Sequence, residues 1–232
     1  MAKVNFKYDI KKDAWSWVLV AKKKNGMWGM DRKKEILYIP SFLLEQIIKA
    51  DKKEAEDLVY KYLINHPKKQ IRKTVINNQI KALENSWRKI EGIYFKTLEK
   101  IIQKPIYTKK FTCYITSGFM CPYNPEKNWF MASMWHGQPF SLTTIAHELM
   151  HLQFIHYYWD YLENKGLDRE QIEDLKESLT FLLNEPEFYS FLLVNDNGYP
   201  NHQKLRERLK EIWQKEKDFK KFLDRAIEAV KK

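Results

Sequence analysis

The stretch that most constrains this chain is Thr144-Ile145-Ala146-His147-Glu148-Leu149-Met150-His151-Leu152. Four residues on an α-helix turn through one full turn plus about 40°, so His147 and His151 leave the same face one pitch apart. Two imidazole nitrogens at that separation can share one metal ion. Glu148 follows the first histidine, which puts its carboxylate beside such an ion rather than on it. Ile145, Ala146, Leu149, Met150, Leu152 and Phe154 make the flanks apolar, so the helix is expected to be buried on most sides. Two histidines and a glutamate in a buried helix are costly unless something pairs them. The alternative to a metal is a hydrogen-bonded pair of core histidines. Zinc suits the donors best, being borderline-soft and at home with imidazole and carboxylate. The chemistry expected is a water activated on Zn²⁺ with Glu148 as general base.

The segment Thr144 to His151 resembles the active-site helix of the zincin metallopeptidases, and the likeness extends loosely over residues 109 to 205. The metzincin branch continues with a glycine and a third histidine six residues after the second. Here that position is Tyr157, and His156 is five residues from His151, pointing away from the pair. What remains is similar to the gluzincin branch, whose third ligand is a glutamate on a following helix. The resemblance implies a zinc-dependent peptidase acting on a peptide or protein substrate. It also implies that Trp129 to Ser133, the strand before the metal helix, is a sheet edge able to hold an extended peptide. An oxyanion donor from the downstream loop, Tyr199 or His202, is implied more loosely.

The third ligand is expected on the helix that begins near Asp168. Glu170 lies nineteen residues after His151, the usual gluzincin spacing; Glu177 lies twenty-six after. Burial favours Glu177, because it opens a run of seven uncharged residues, whereas Glu170 sits in a charged first turn where it stabilises the helix dipole. Some gluzincins orient a zinc histidine with an aspartate four residues after the ligand glutamate. Phe181 stands there, which leaves Thr180 or Asn184 for that work.

The 232 residues, 44% hydrophobic and 15% aromatic, suffice for a real core, and 7 Gly and 8 Pro point to long helices. Val4, Phe6 and Tyr8 alternate as in a strand. Asp13 is read as the cap of a helix carrying Trp15, Trp17, Val18 and Val20 and stopping at Asn25-Gly26, with Trp28 and Met30 in a buried loop. Ser41 is read as an N-cap, with a second helix from Lys53 to Asn65. A long helical pattern runs from Lys69 to Gln103, with Gly92 as a bend or break and Pro105 as the stop. Residues 111–116 and 129–134 read as strands, and one last helix is expected after His202. The expected fold is α+β and predominantly helical: a helical region over 1–108 and a zincin-like core over 109–232, its small sheet next to the His-Glu-x-x-His helix.

Cys113 and Cys121 are the only cysteines, too few for a disulfide framework, so a reducing compartment is expected. No apolar run reaches membrane-span length, and Met1 to Lys7 hold no apolar signal core, so the reading is soluble and cytoplasmic. The net charge of +11 comes from lysines spread along the chain. Dispersed charge reads as a solvated surface, and nucleic acid is not the expected partner. Two other classes stand beside the peptidase: a non-catalytic zinc-stabilised binding protein, and a basic nucleic-acid-binding protein.

Overall fold

The computed structural model describes residues 2–23 and 31–231. In chain order its elements are β1 (Lys3–Lys7), α1 (Ile10–Lys22), α2 (Arg32–Glu35), α3 (Ser41–Lys49), α4 (Lys52–Asn65), α5 (Lys69–Ile102), β2 (Lys110–Thr116), β3 (Tyr123–Asn124), β4 (Trp129–Ser133), α6 (Gln138–Asn164), α7 (Arg169–Leu179), α8 (Pro186–Tyr189), α9 (Gln203–Lys215) and α10 (Phe219–Val230). Short 3₁₀ turns cover Thr180–Asn184 and Pro200–His202. The α+β, mostly helical class read from the sequence is the class observed. The expected turn at Asn25-Gly26 and the buried loop of Trp28 and Met30 lie outside the described residues.

The four strands form a mixed sheet in the order β1-β2-β4-β3, with β1, β2 and β4 parallel and β3 antiparallel to β4. Strand period sends alternate side chains to opposite faces. Phe111, Cys113 and Ile115 of β2, with Phe130 and Ala132 of β4, enter the main core with α5, α6, α7, α9 and α10. On the other face Trp129 meets Trp15 edge-on at 5.7 Å, and Thr116 meets Asp13. The sheet is covered on both faces, and every residue of β4 is buried. A smaller core of Trp17, Val18, Leu43, Ile47, Val59 and Leu63 joins α1, α3 and α4. The stretch 105–110, expected as a boundary, is spanned by the β1–β2 pairing and by a main core that draws on both sides of it.

Several local expectations are corrected. Helix α1 is capped by Asp9, whose carboxylate accepts from the amides of Lys11 and Lys12. Asp13 lies inside the first turn instead. Pro40, not Ser41, holds the N-cap position of α3, and no side chain caps it. Helix α5 runs unbroken through Gly92. A glycine costs about 1 kcal/mol in a helix interior, and the burial of Trp87, Tyr94, Phe95 and Leu98 on both sides outweighs it. The single last helix is two, α9 and α10, separated at residues 216–218. Strand β4 is no open edge: Phe130 and Trp129 pair with Tyr123 and Asn124, and the Met131 amide donates to the Pro122 carbonyl at 2.9 Å.

Asp13 is 1% exposed and accepts four hydrogen bonds: from the Ser117 amide and hydroxyl and the Thr116 hydroxyl, each at 2.8 Å, and from the Tyr8 hydroxyl at 3.0 Å. It fastens α1 to the end of β2. Removing an acceptor that serves three buried donors and a part-buried one leaves them unsatisfied. Asp13→Ala is expected to destabilise the protein by about 3 kcal/mol or more, read as a lower urea midpoint, whereas Asp9→Ala, which removes only a cap, should cost about 1 kcal/mol.

Candidate metal centre

Helix α6 begins at the Gly137 N-cap with Pro139 in its first turn, where a missing amide costs nothing. It ends where Gly166 takes φ +82°, a left-handed conformation that glycine adopts without strain. Between these ends, Ile145, Ala146, Leu149, Met150 and Leu152 are buried. The axial position of the helix is fixed from α5 and the segment after it. The Tyr94 hydroxyl donates to the Ala146 carbonyl at 2.6 Å, the Gln153 amide to the Pro105 carbonyl at 2.7 Å, and the Tyr158 hydroxyl to the Ile102 carbonyl at 3.0 Å.

Helix α7 is capped by Asp168 in a full capping box with Gln171. It packs against α6 and brings Glu177 to the two histidines. The Glu177 Oε2 lies 3.4 Å from His147 Nε2 and 3.1 Å from His151 Nε2. One donor atom from each of the three residues falls within 4.8 Å of the others, and this is the potential metal-binding group among the described residues. Glu170 is exposed in the first turn of α7 and takes no part in this cluster. Both imidazoles turn Nε2 inward, and the donor set of two nitrogens and one carboxylate oxygen fits zinc.

Each member has its own support. His147 Nδ1 lies 2.6 Å from Asp196 Oδ2, which fixes the tautomer that leaves Nε2 facing the cluster. Asp196 is held in turn: its Oδ1 accepts from the Thr180 hydroxyl at 2.8 Å and faces Arg206 Nη1 at 3.0 Å. Its backbone exchanges two 2.8 Å hydrogen bonds with the Asn184 side chain. Arg206 Nη2 donates to the Asp196 carbonyl at 2.6 Å. Gly198 has φ +61°, and a Cβ there would come within 2.6 Å of Arg206, so this loop needs a glycine for both conformation and space.

Glu177 uses its second oxygen. Oε1 is 3.0 Å from the ammonium of Lys176, a side chain that is 1% exposed. Lys176 also meets Glu173 at 2.7 Å and donates to the Tyr123 hydroxyl from β3. Glu148 is buried, and its Oε2 has no hydrogen-bond partner.

The electrostatics follow from these contacts. Burial opposes ionisation of Glu177, but His151 and Lys176 outweigh it and hold the carboxyl well below its usual range. Burial likewise opposes the charge on Asp196 and on His147; each overcomes it through the other, which lowers the aspartate and raises the imidazole. Burial pushes His151 down to about 3 and Glu148 up to about 8. Burial also raises the Tyr199 phenol, and the negative charge of Glu177 and Glu148 adds to the shift.

His147, His151 and Glu177 are therefore brought together as the sequence suggested, and Glu148, next to His147 in the chain, is buried. His202, loosely expected as an oxyanion donor, is buried, its Nε2 is 3.0 Å from Asp174 Oδ1, and its ring lies edge-on to Tyr199 at 5.9 Å. Thr180 and Asn184, expected to orient a histidine, bind Asp196 instead. Asp196, Arg206 and Lys176 went unread. Asp196 sits in an Asp-Asn-Gly turn that looks like surface, and Arg206 and Lys176 sit among charges that look solvated. No family model matches the chain, and no curated protein or solved structure matches it either.

Purified protein should hold one zinc per chain. In chelator competition Glu170→Ala should leave the affinity unchanged, and Asp196→Ala should weaken it ten- to a hundredfold, the scale of losing a group that orients a ligand. Glu177→Ala should weaken it more than Asp196→Ala does.

Proposed function

We propose that this protein is a zinc-dependent peptidase with a zincin-like core, in which His147, His151 and Glu177 hold the ion and Glu148 is the general base. The observation that carries the reading is the convergence of two Nε2 atoms and one carboxylate oxygen next to a buried carboxylate that has no partner for one oxygen. When bound, zinc supplies Lewis-acid polarisation and makes water a competent nucleophile near neutral pH.

The remaining work belongs to the chain. Glu148 is buried next to His147 in the chain, and its raised affinity for a proton suits a group that must take one up at Oε2 and return it to a leaving amine nitrogen. Asp196 keeps His147 in the tautomer that presents Nε2. Lys176 occupies Glu177 Oε1, so Oε2 alone faces the histidines. Tyr199 is the residue of the downstream loop retained as a phenol O–H donor for charge developing on a carbonyl oxygen. His202 braces Tyr199 from Asp174 and is not assigned to the reacting atoms.

The strand role moves by one position from that expected of Trp129 to Ser133. β3 ends the sheet, and the Tyr123 ring lies 5.9 Å from the His151 ring. An extended peptide adding to that edge would pass the centre by backbone hydrogen bonds. The free thiols of Cys113 and Cys121 accord with work in the reducing cytoplasm. Among the described residues no helix is long and apolar enough to cross a membrane.

Glu148→Gln keeps the shape and removes the base. Its zinc content should equal that of the wild type, while cleavage of a peptide library, followed by mass spectrometry, should fall by about 10²–10⁴. Cleavage at the wild-type rate would assign the base to another residue, and a zinc-loaded wild type that cleaves nothing would favour a zinc-stabilised binding protein.

A further inference from the structure

Helix α5 sorts its charge. It contains eight basic residues and three glutamates. Seven of the eight, Lys69, Lys73, Lys81, Arg88, Lys89, Lys96 and Lys100, are exposed, and none of the glutamates is. Glu91 accepts from the Val4 amide at 2.7 Å and from the Trp87 indole at 3.1 Å, and Glu99 accepts from the Ile106 amide at 2.9 Å. Those two acids are turned inward to satisfy donors of neighbouring groups, and their charge is withdrawn from the solvent face. The exposed faces of α4, α9 and α10 differ, since each alternates lysines with exposed acids. The even spread of lysine along the sequence therefore conceals a one-sided distribution in space.

We infer that the exposed face of α5 binds the phosphate backbone of double-stranded DNA. At 100° per residue, Lys81, Arg88, Lys89 and Lys96 fall within about a third of the helix circumference, with Thr74, Asn78 and Asn85 on the same stripe as neutral hydrogen-bonding groups. The cations recur every seven or eight residues, a rise of about 10–12 Å. That spacing matches the roughly 12 Å width of the B-form major groove, so successive side chains can reach phosphates on its two sides. A-form RNA, with its deep and narrow major groove, does not present phosphates in that way. Single strands are captured on exposed aromatic rings, and the aromatic residues of α5, Trp87, Tyr94 and Phe95, are all buried. A membrane-surface helix must lay its apolar face into lipid. Most of the apolar face of α5, including Ile76, Leu83, Trp87, Tyr94, Phe95 and Leu98, is already in the protein core, and of its large apolar residues Ile71, Val75 and Ile93 remain exposed. Contacts of this kind fix no sequence and depend steeply on salt.

The test compares two variants of equal net charge. One carries Lys81→Gln, Arg88→Gln, Lys89→Gln and Lys96→Gln on α5; the control carries Lys204→Gln, Lys210→Gln, Lys215→Gln and Lys221→Gln on α9 and α10. Fluorescence anisotropy with a 30-base-pair DNA of arbitrary sequence, titrated from about 50 to 200 mM salt, should show micromolar binding by the wild type, in the range of non-specific contacts. The α5 variant should bind at least about tenfold more weakly, with a salt slope shallower by about 3–4, one unit per lost phosphate contact. The control should change less than about threefold. The double variant Arg88→Gln, Lys96→Gln gives half the loss of slope should the quadruple one fold poorly. Equal weakening in both quadruple variants would assign binding to overall charge and overturn the proposal. No duplex binding at 50 mM salt, or tighter binding to duplex RNA, single strands or phosphatidylserine vesicles than to duplex DNA, would also overturn it.

Discussion

Three carboxylates, Glu148, Glu177 and Asp196, are buried around the two histidines, and the architecture around them follows from the need to compensate each. An isolated buried charge is too costly to keep, so it must be protonated, paired or bound to a cation. Asp196 has Arg206 and His147, Glu177 has Lys176 and the two imidazoles, and Glu148 alone keeps an oxygen without a partner. The two well-compensated groups are held well into their ionised range, while the uncompensated one is pushed toward its neutral form. One carboxylate is thus close to neutral where the other two stay anionic, the division that the proposed metal-assisted hydrolysis would use.

That compensation is spread over elements far apart in the chain. The histidines come from α6, Glu177 and Lys176 from α7, Asp196 from the loop after α8, Arg206 from α9, and Tyr123 from β3. A long buried α6 anchored to α5 through Tyr94 and to the following turn through Gln153 gives these groups a fixed origin. Rigid elements hold such groups in register better than loops do. The one loop residue, Asp196, is therefore clamped through its backbone by Asn184 and Arg206 as well as through its side chain.

The same rule organises the molecule away from the centre. Asp13 replaces the hydration of its carboxylate with four donors and in doing so fixes the small α1–α3–α4 core against the sheet. Glu91 and Glu99 are drawn inward by unsatisfied amides and an indole. Each acid that serves as an internal acceptor is one fewer on the surface, so the outward face of α5 becomes more basic than its sequence alone implies.

The sequence by itself determined which chemistry was available. The four-residue spacing of His147 and His151 needs only helical geometry to converge, and the apolar flanks make that helix and its burial readable from the chain. Glu177 was legible for a related reason, because a carboxylate opening an uncharged run has to be carried inward. The long period of α5 and the strand-forming residues of β2 and β4 were equally local signals. What the tertiary structure decided were the relations that no local period encodes. Lys176 and Arg206 look like solvent-facing charges until α7 and α9 are packed: Arg206 is paired by Asp196 from the loop before its helix, and Lys176, whose acids Glu173 and Glu177 are its own neighbours, is buried against Tyr123 from a strand 53 residues away. Asp196 reads as a turn residue because a turn and a histidine partner use the same side chain, and only the path of the loop chooses between them. The two-residue β3 is too short for any periodicity, yet it ends the sheet and removes β4 from the edge. Asp13 could cap α1 or be buried beneath the sheet, and the presence of Asp9 four residues earlier, together with the donors of Thr116 and Ser117 a hundred residues away, resolved it toward burial.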